Sequence, residues 1–357
     1  MLRWKSFGLS IFAAVCLLGE TAGSAHAQYA VEWSDGGGVI NLRGLPGATY
    51  SIAYGLNDFG QAVGSSAGPD FEDAVEWSGG HVINLGGLPG FVDSVASSIN
   101  NAGQVVGVSY PPNGFYQATE WSGGSVIELG GLPGSVFSAA TDINDSGRAV
   151  GRSFVGVTQY AVEWSGGVVI NLGGLPGAVS SVADGINDSG QVAGVSIVGG
   201  RGYALEWSGG GLITLEDLPG FTGSSFAASI NDAGVVVGES GGQAVEWSGG
   251  SVVDLGGLPG SSLSEALSIN DSGQVIGFSV VDGVTYATEW SGGSIVNLEG
   301  LPGFAPSAAT DMNNAGQTVG ESNGSPAPEP STWTMMLIGF AGLGLAGHRR
   351  AKAACAS

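Results

Sequence analysis

Residues 161–196 read AVEWSGGVVINLGGLPGAVSSVADGINDSGQVAGVS, and this stretch decides the fold. Short runs of strand-forming residues, such as Val168 to Leu172 and Ser180 to Ile186, alternate with clusters of Gly, Pro, Asn, Asp and Ser. Each run is too short for a globular helix, so the pattern predicts four strands per unit. Near-copies of the unit recur around tryptophans 33, 77, 121, 164, 207, 247 and 290, in steps of 44, 44, 43, 43, 40 and 43 residues. Such a period belongs to a repeat architecture in which each unit buries its apolar faces on its neighbours.

The turn clusters have assignable chemistry. In Asn187-Asp188-Ser189-Gly190 the Asn and Asp side chains bond back to nearby amides and Gly accepts positive φ, which suits a type I hairpin turn with a glycine bulge. A ring of ligand-binding asparagines is the functional alternative, but the turn accounts for them. Leu175-Pro176-Gly177 suits a type II turn. Seven equivalent tryptophans point to packing between sheets, worth several kcal/mol each, with sugar stacking as the alternative. The glutamate preceding each tryptophan is expected to face solvent or pair with turn amides.

Four strands and seven units match an all-β, seven-bladed β-propeller of four-stranded antiparallel blades. The chain begins with the Trp strand and its neighbour, so the last blade is expected to combine two strands from each end, a 2+2 closure that removes an exposed edge. A β-solenoid is the rival arrangement. The unit resembles the HAF family of extracellular repeats, whose Ile-Asn-Asp-Ser-Gly-Gln-Val-Val-Gly and Ala-x-x-Trp-Ser signatures are nearly complete at Ile143 to Gly151 and Ala161 to Ser165. That resemblance spans almost all of the repeat region and implies location outside the cell.

The ends are transport signals. Residues 1–27 read as a signal peptide, with Arg3 and Lys5, an apolar run from Leu9 to Leu18 and a cleavage site at Ala25-His26-Ala27. The repeat region is expected over 28–322, a Pro-rich linker over 323–330, and a hydrophobic sorting segment with a basic tail over 331–357. Trp333 to Gly347 would form a helix of roughly 22 Å at 1.5 Å per residue, short of a bilayer core of about 30 Å, with Arg349, Arg350 and Lys352 on the cytoplasmic side. Pro328-Glu329-Pro330, followed by Ser331-Thr332-Trp333 and the run Met335 to Phe340, resembles the PEP-CTERM sorting signal. The resemblance implies a Gram-negative source, signal peptidase and exosortase as partners during export, transient membrane association, and a final place at the cell surface.

Between residues 28 and 330 there are four basic and 30 acidic residues, a net charge of −26. Such a surface repels phosphate backbones, so nucleic acid is excluded as a partner. Cys16 and Cys355 both lie in the transport segments, and His81 is the one histidine and no lysine remains between them. Nucleophile–base pairs and histidine metal sites have little to work with, so no enzymatic activity and no cofactor are expected.

Function is expected on the variable connectors, because loops on a rigid scaffold carry binding. They place Phe71, Tyr110, Phe115, Tyr116, Phe154, Tyr160, Tyr203 and Tyr286 on one rim, as a candidate surface for exopolysaccharide; covering the core beneath their own loops is the other reading of these rings. Two further readings stay open on the sequence: a carboxylate-dependent glycan-acting enzyme, and a calcium-stabilised scaffold using carboxylates such as Asp70, Glu72 and Asp73.

Overall fold

The computed structural model describes residues 27–324 apart from 35–37, 113 and 305. The signal peptide through His26, Pro328-Glu329-Pro330 and the expected C-terminal helix therefore lie outside the described residues, which contain 28 strands and no helix. The strands pair antiparallel in fours. Over residues 180–214 these are β15 (Ser180–Ile186), β16 (Val192–Val198), β17 (Arg201–Ser208) and β18 (Gly211–Thr214), paired in that order. One set draws on both ends of the chain: β27 (Ser307–Met312) pairs with β28 (Thr318–Gly324), β28 with β1 (Ala27–Ser34), and β1 with β2 (Gly38–Asn41).

The turns form as their residues dictate. The Gly190 amide donates to the Asn187 carbonyl at 3.0 Å with Gly190 at φ 81°, closing the hairpin between β15 and β16. The Ala178 amide donates to the Leu175 carbonyl at 3.0 Å with Gly177 at φ 80°, a type II turn leading to the next set. A glycine is also required within the second strand: a Cβ on Gly194 would come within 2.1 Å of the Val182 carbonyl oxygen.

The core lies where one set packs on the next. Trp77 is buried with Ala53, Leu56, Ala62 and Val75 of its own set against Ala30 and Val319 of the preceding one. Its indole N–H donates to the carbonyl of Arg43, in the turn after β2, at 2.6 Å. Trp33, Trp121, Trp164, Trp247 and Trp290 make the matching bond to the preceding set at 2.6 to 3.2 Å. Trp207 is buried but makes no such bond among the described residues. The tryptophans are architectural, and a ring this large removes more apolar surface from water than any other residue of the unit.

Serines add a second set of bonds that sequence reading does not anticipate. The amide of each Leu-Pro-Gly leucine donates to a serine Oγ of the following set, Leu45 to Ser66 and Leu175 to Ser196 among them, and all seven such bonds measure 2.9 to 3.2 Å. Six of the seven glutamates before the tryptophans pair with side chains and not, as expected, with solvent or turn amides. Glu76, Glu120 and Glu206 accept from Gln61, Gln104 and Gln191, and Glu163 binds Arg148 in a two-pronged ion pair.

The asparagines do more than close their own turns. Asn187 Nδ2 donates to Gln191 Oε1 and to the Asn231 carbonyl of the next set, while its Oδ1 accepts the Gln191 amide. The inter-set bond recurs from Asn57 to Asn100, 144, 187, 231, 270 and 313, and from Asn313 back to Asn57, at 2.9 to 3.2 Å. Removing one asparagine leaves buried amides and carbonyls without partners. Asn187→Ala is expected to lower unfolding free energy by about 2–4 kcal/mol, against under about 1 kcal/mol for exposed Asp188→Ala, measured by urea denaturation.

Candidate functional site

Antiparallel pairing puts the Asn-Asp-Ser-Gly and Ser-Gly-Gly turns at one end of the sheets. The Leu-Pro-Gly corners and the connectors between second and third strands fall at the other. The two ends differ chemically.

At the first end, a cavity of about 170 Å³ is lined by the asparagines, the aliphatic residues before them and the residues after them. The residues after them are Asp58, Asn101, Asp145, Asp188, Asp232, Asp271 and Asn314, each accepting a backbone amide from the preceding turn at 2.8 to 3.0 Å. Loss of hydration raises the Asp188 carboxyl, and Asp145, Asp232 and Asp271 add to the shift. The asparagine side chains are consumed by structure, so this end reads as a lock.

The second end carries the residues that differ between sets. The structure gathers four of the eight sequence-selected aromatics: Tyr110 at the end of β8 (Val105–Tyr110), Phe115 and Tyr116 before β9 (Gln117–Ser122), and Phe154 on β12 (Ala149–Val155). Phe115, Tyr116 and Phe154 converge on Phe137 of β11 (Ser135–Ile143), which the connectors did not point to because it lies in a first strand. Its ring is stacked on Phe115 at 6.3 Å and 21°, and lies 5.0 Å from Tyr116 and 3.8 Å from Phe154. The cross-strand pairing of Phe137 with Phe154 was the missing signal, because it requires a register and not a composition.

Tyr110 and Tyr116 sit 5.6 Å apart beneath this group. Burial pushes the Tyr116 hydroxyl up, opposed by the buried Arg152 guanidinium, which donates a hydrogen bond to it. Burial raises Tyr110 as well, with Glu72, Tyr116 and Asp93 adding to the shift and Arg152 opposing it. Phe115 is 55% exposed, so the cluster presents a ring face to solvent with polar groups at its base. An apolar platform with a few placed polar groups is the usual chemistry of a ligand site.

The other four selected aromatics lie elsewhere on the rim. Phe71 folds onto its own turn, close against Gly68, whose amide donates to the Phe71 carbonyl at 2.9 Å. Tyr160 packs against the core around Val162 and Trp164. Tyr203 lies under the Arg201 guanidinium at 4.7 Å, and Tyr286 is half-buried on β25 (Val284–Ser291). Of the acidic residues considered for calcium, Asp70 is exposed, the Glu72 amide donates to Asp93, and Asp73 accepts from Asn84 at 2.9 Å. Among the described residues no three His, Cys, Asp or Glu side chains are grouped as for a metal ion.

Two aspartates bridge neighbouring sets from the inner strands. Asp311 accepts from Ser268 at 2.8 Å on one side and from the Leu56 amide at 2.8 Å on the other; Asp142 does the same with Ser98 and Ile186. Loss of hydration, with Asp142 adding to it, pushes the Asp311 carboxyl up to about 7 against these hydrogen bonds. The Asp142 carboxyl is raised for the same first reason.

Residues 326–350 match the PEP-CTERM protein-sorting motif. That motif marks a protein processed by exosortase during export, placed outside the cell or at its surface after a membrane-anchored precursor stage. No curated protein sequence matches the chain. Among solved structures it is similar to a puromycin-hydrolysing peptidase of Mycobacterium tuberculosis, at 13% identity and TM-score 0.51, over 77% of this chain and 51% of that one. TolB from Acinetobacter baumannii aligns at 12% identity and TM-score 0.44, over 76% of this chain and 63% of that one. YCF48 bound to D1 peptide aligns at 12% identity and TM-score 0.47, over 84% and 97%. The chain thus spans half to under two thirds of the length of the first two, and at these identities the likeness concerns the fold.

Because folding raises the Asp311 carboxyl above its unfolded value, the native state holds the extra proton. The stability associated with this group is greatest at low pH and is lost as pH rises from about 4 to about 7. The melting temperature of the wild type is therefore expected to fall relative to Asp311→Asn across that window and to run parallel to it above; parallel curves throughout would contradict the assignment.

Proposed function

We propose that the chain is an exported cell-surface or extracellular-matrix protein, a seven-bladed propeller of HAF-type repeats, that binds exopolysaccharide without turning it over. The ring architecture is supported by the shared β27–β28–β1–β2 sheet and by the asparagine bond from Asn313 to Asn57. Export is supported by the sorting motif at 326–350.

The single observation carrying the binding role is the cluster of Phe115, Phe137, Phe154, Tyr110 and Tyr116, with Arg152 bonded to Tyr116 and Phe115 exposed to solvent. Flat rings offer apolar faces to the C–H faces of sugars, and rigid aromatics cost little conformational entropy when they bind. Tyrosine hydroxyls and a guanidinium supply hydrogen bonds to sugar hydroxyls. A net charge of −26 between residues 28 and 330 favours neutral or amino-sugar polymers over strongly anionic ones.

Exopolysaccharide prepared from the producing cells, presented on a surface, is the test. The exported protein is expected to bind, Phe115→Ala and Phe137→Ala to weaken binding at least tenfold, and Tyr203→Ala to leave it unchanged. Release of sugar or of new reducing ends would instead make the protein an enzyme. Mass spectrometry of the exported protein is expected to show a chain starting at Gln28 and ending near Pro330.

A further inference from the structure

The one short step of the repeat, 40 residues from Trp207 to Trp247, has a structural counterpart. In four other sets the hairpin of second and third strands continues two residues beyond the shared serine, as Ile197 and Val198 beyond Ser196, or Val280 and Val281 beyond Ser279. Between β20 (Val236–Ser240) and β21 (Gln243–Ser248) the chain turns at Ser240 itself, through Gly241 and Gly242 at φ 62° and 87°. At about 3.3 Å per strand residue the paired hairpin is shorter here by about 7 Å than in those four sets. Phe221, 43% exposed, lies directly over Gly241.

Two glutamates sit below this notch. Glu239 adjoins Ser240, and its side chain accepts the Gly242 amide. Glu265 lies on β23 (Ser261–Ile269), which packs against β20. At the position of Glu265 the other units carry Ile52, Val95, Ala139, Val182, Phe226 and Ala308. Six units thus build the same sheet without an acid, so architecture does not explain it. Glu265 is 7% exposed and its Oε1 accepts no hydrogen bond among the described residues. Burial, then the neighbouring Glu239 and Asp184 carboxylates, raise its carboxyl well above the ordinary range. In register, Glu239 stands opposite Phe226 and Glu265 opposite Phe278.

A buried carboxylate oxygen with no partner calls for a proton or a cation. A metal ion needs several oxygens at 2.0–2.6 Å, and the described residues hold no such grouping. An ammonium group is satisfied by fewer, directional hydrogen bonds, and aromatic rings favour it further. The geometry points to a binding site for a protonated primary amine beneath the notch. Glu265 and Glu239 accept its N–H hydrogen bonds, and Phe221 and Phe226 cover its alkyl stem. This site is independent of polysaccharide binding at Phe115 and Phe137.

Calorimetric titration of the exported protein with cadaverine at pH 7 and physiological salt tests it. One site per chain is expected, with a rise in melting temperature that pentan-1-ol and sodium chloride at matched ionic strength do not reproduce. Glu265→Ala, which installs the residue other units carry at 139 and 308, is expected to lower the affinity at least tenfold, as is Glu239→Gln. Absence of binding, or affinity unchanged in a folded variant of either residue, would show that Glu265 holds only a proton and would overturn the proposal.

Discussion

Each four-stranded sheet is too small to bury its own apolar faces, so everything in this protein depends on how one sheet grips the next. The grip is centred on tryptophan. A buried indole fills the space between sets, and in six of seven cases its N–H is matched by the carbonyl of a turn that precedes it by 31 to 35 residues, or by Glu299 for Trp33. Burial of the ring supplies the driving force, while the hydrogen bond sets the offset between sheets. The serine hydroxyls that accept the leucine amides hold the corners in the same register. Arg43 and Glu299 adopt φ of 60° and 55° at their turns, where Gly86, Gly130, Gly173 and Gly256 stand in four other sets, so these two turns keep that geometry against side-chain sterics.

That mode of assembly divides the molecule into two ends with different freedom. At the asparagine end every turn is bonded to its neighbours through both side chains and backbone, and the same residues recur because the same bonds must be made. At the connector end the serine bonds are the last that all the sets share, and what lies beyond differs from set to set. Aromatic clustering around Phe137, the shortened hairpin at Gly241, and charged residues at inner positions such as Arg152 and Glu265 all occur here or next to it. A repeat protein acquires specific chemistry where its copies disagree, since the positions on which they agree are engaged in stacking.

Much of this was legible in the residues. Turn chemistry at Asn187 to Gly190 and Leu175 to Gly177 follows from local backbone preferences, which need no knowledge of the remaining chain. Four strands per unit and the architectural role of the tryptophans follow from periodicity alone. The sorting motif is likewise a linear signal, recognised in the extended sequence. The glutamate beside the tryptophan was misread in six sets because its partner, a glutamine or Arg148 on the second strand, becomes a neighbour only when the second and third strands pair.

By itself, then, the sequence determined the alternation of strands and turns, the antiparallel sheets of four, and export with sorting at 326–350, because each is written in contiguous residues or in a fixed period. Only the tertiary structure decided which side chains meet. The convergence of Phe115, Phe137 and Phe154, the aspartates shared between sets, and the Glu265 Oε1 left without a hydrogen bond among the described residues all depend on strand register and on the placement of one sheet against another. Such contacts join residues tens of positions apart, and a difference of one residue in register sends a side chain to the opposite face.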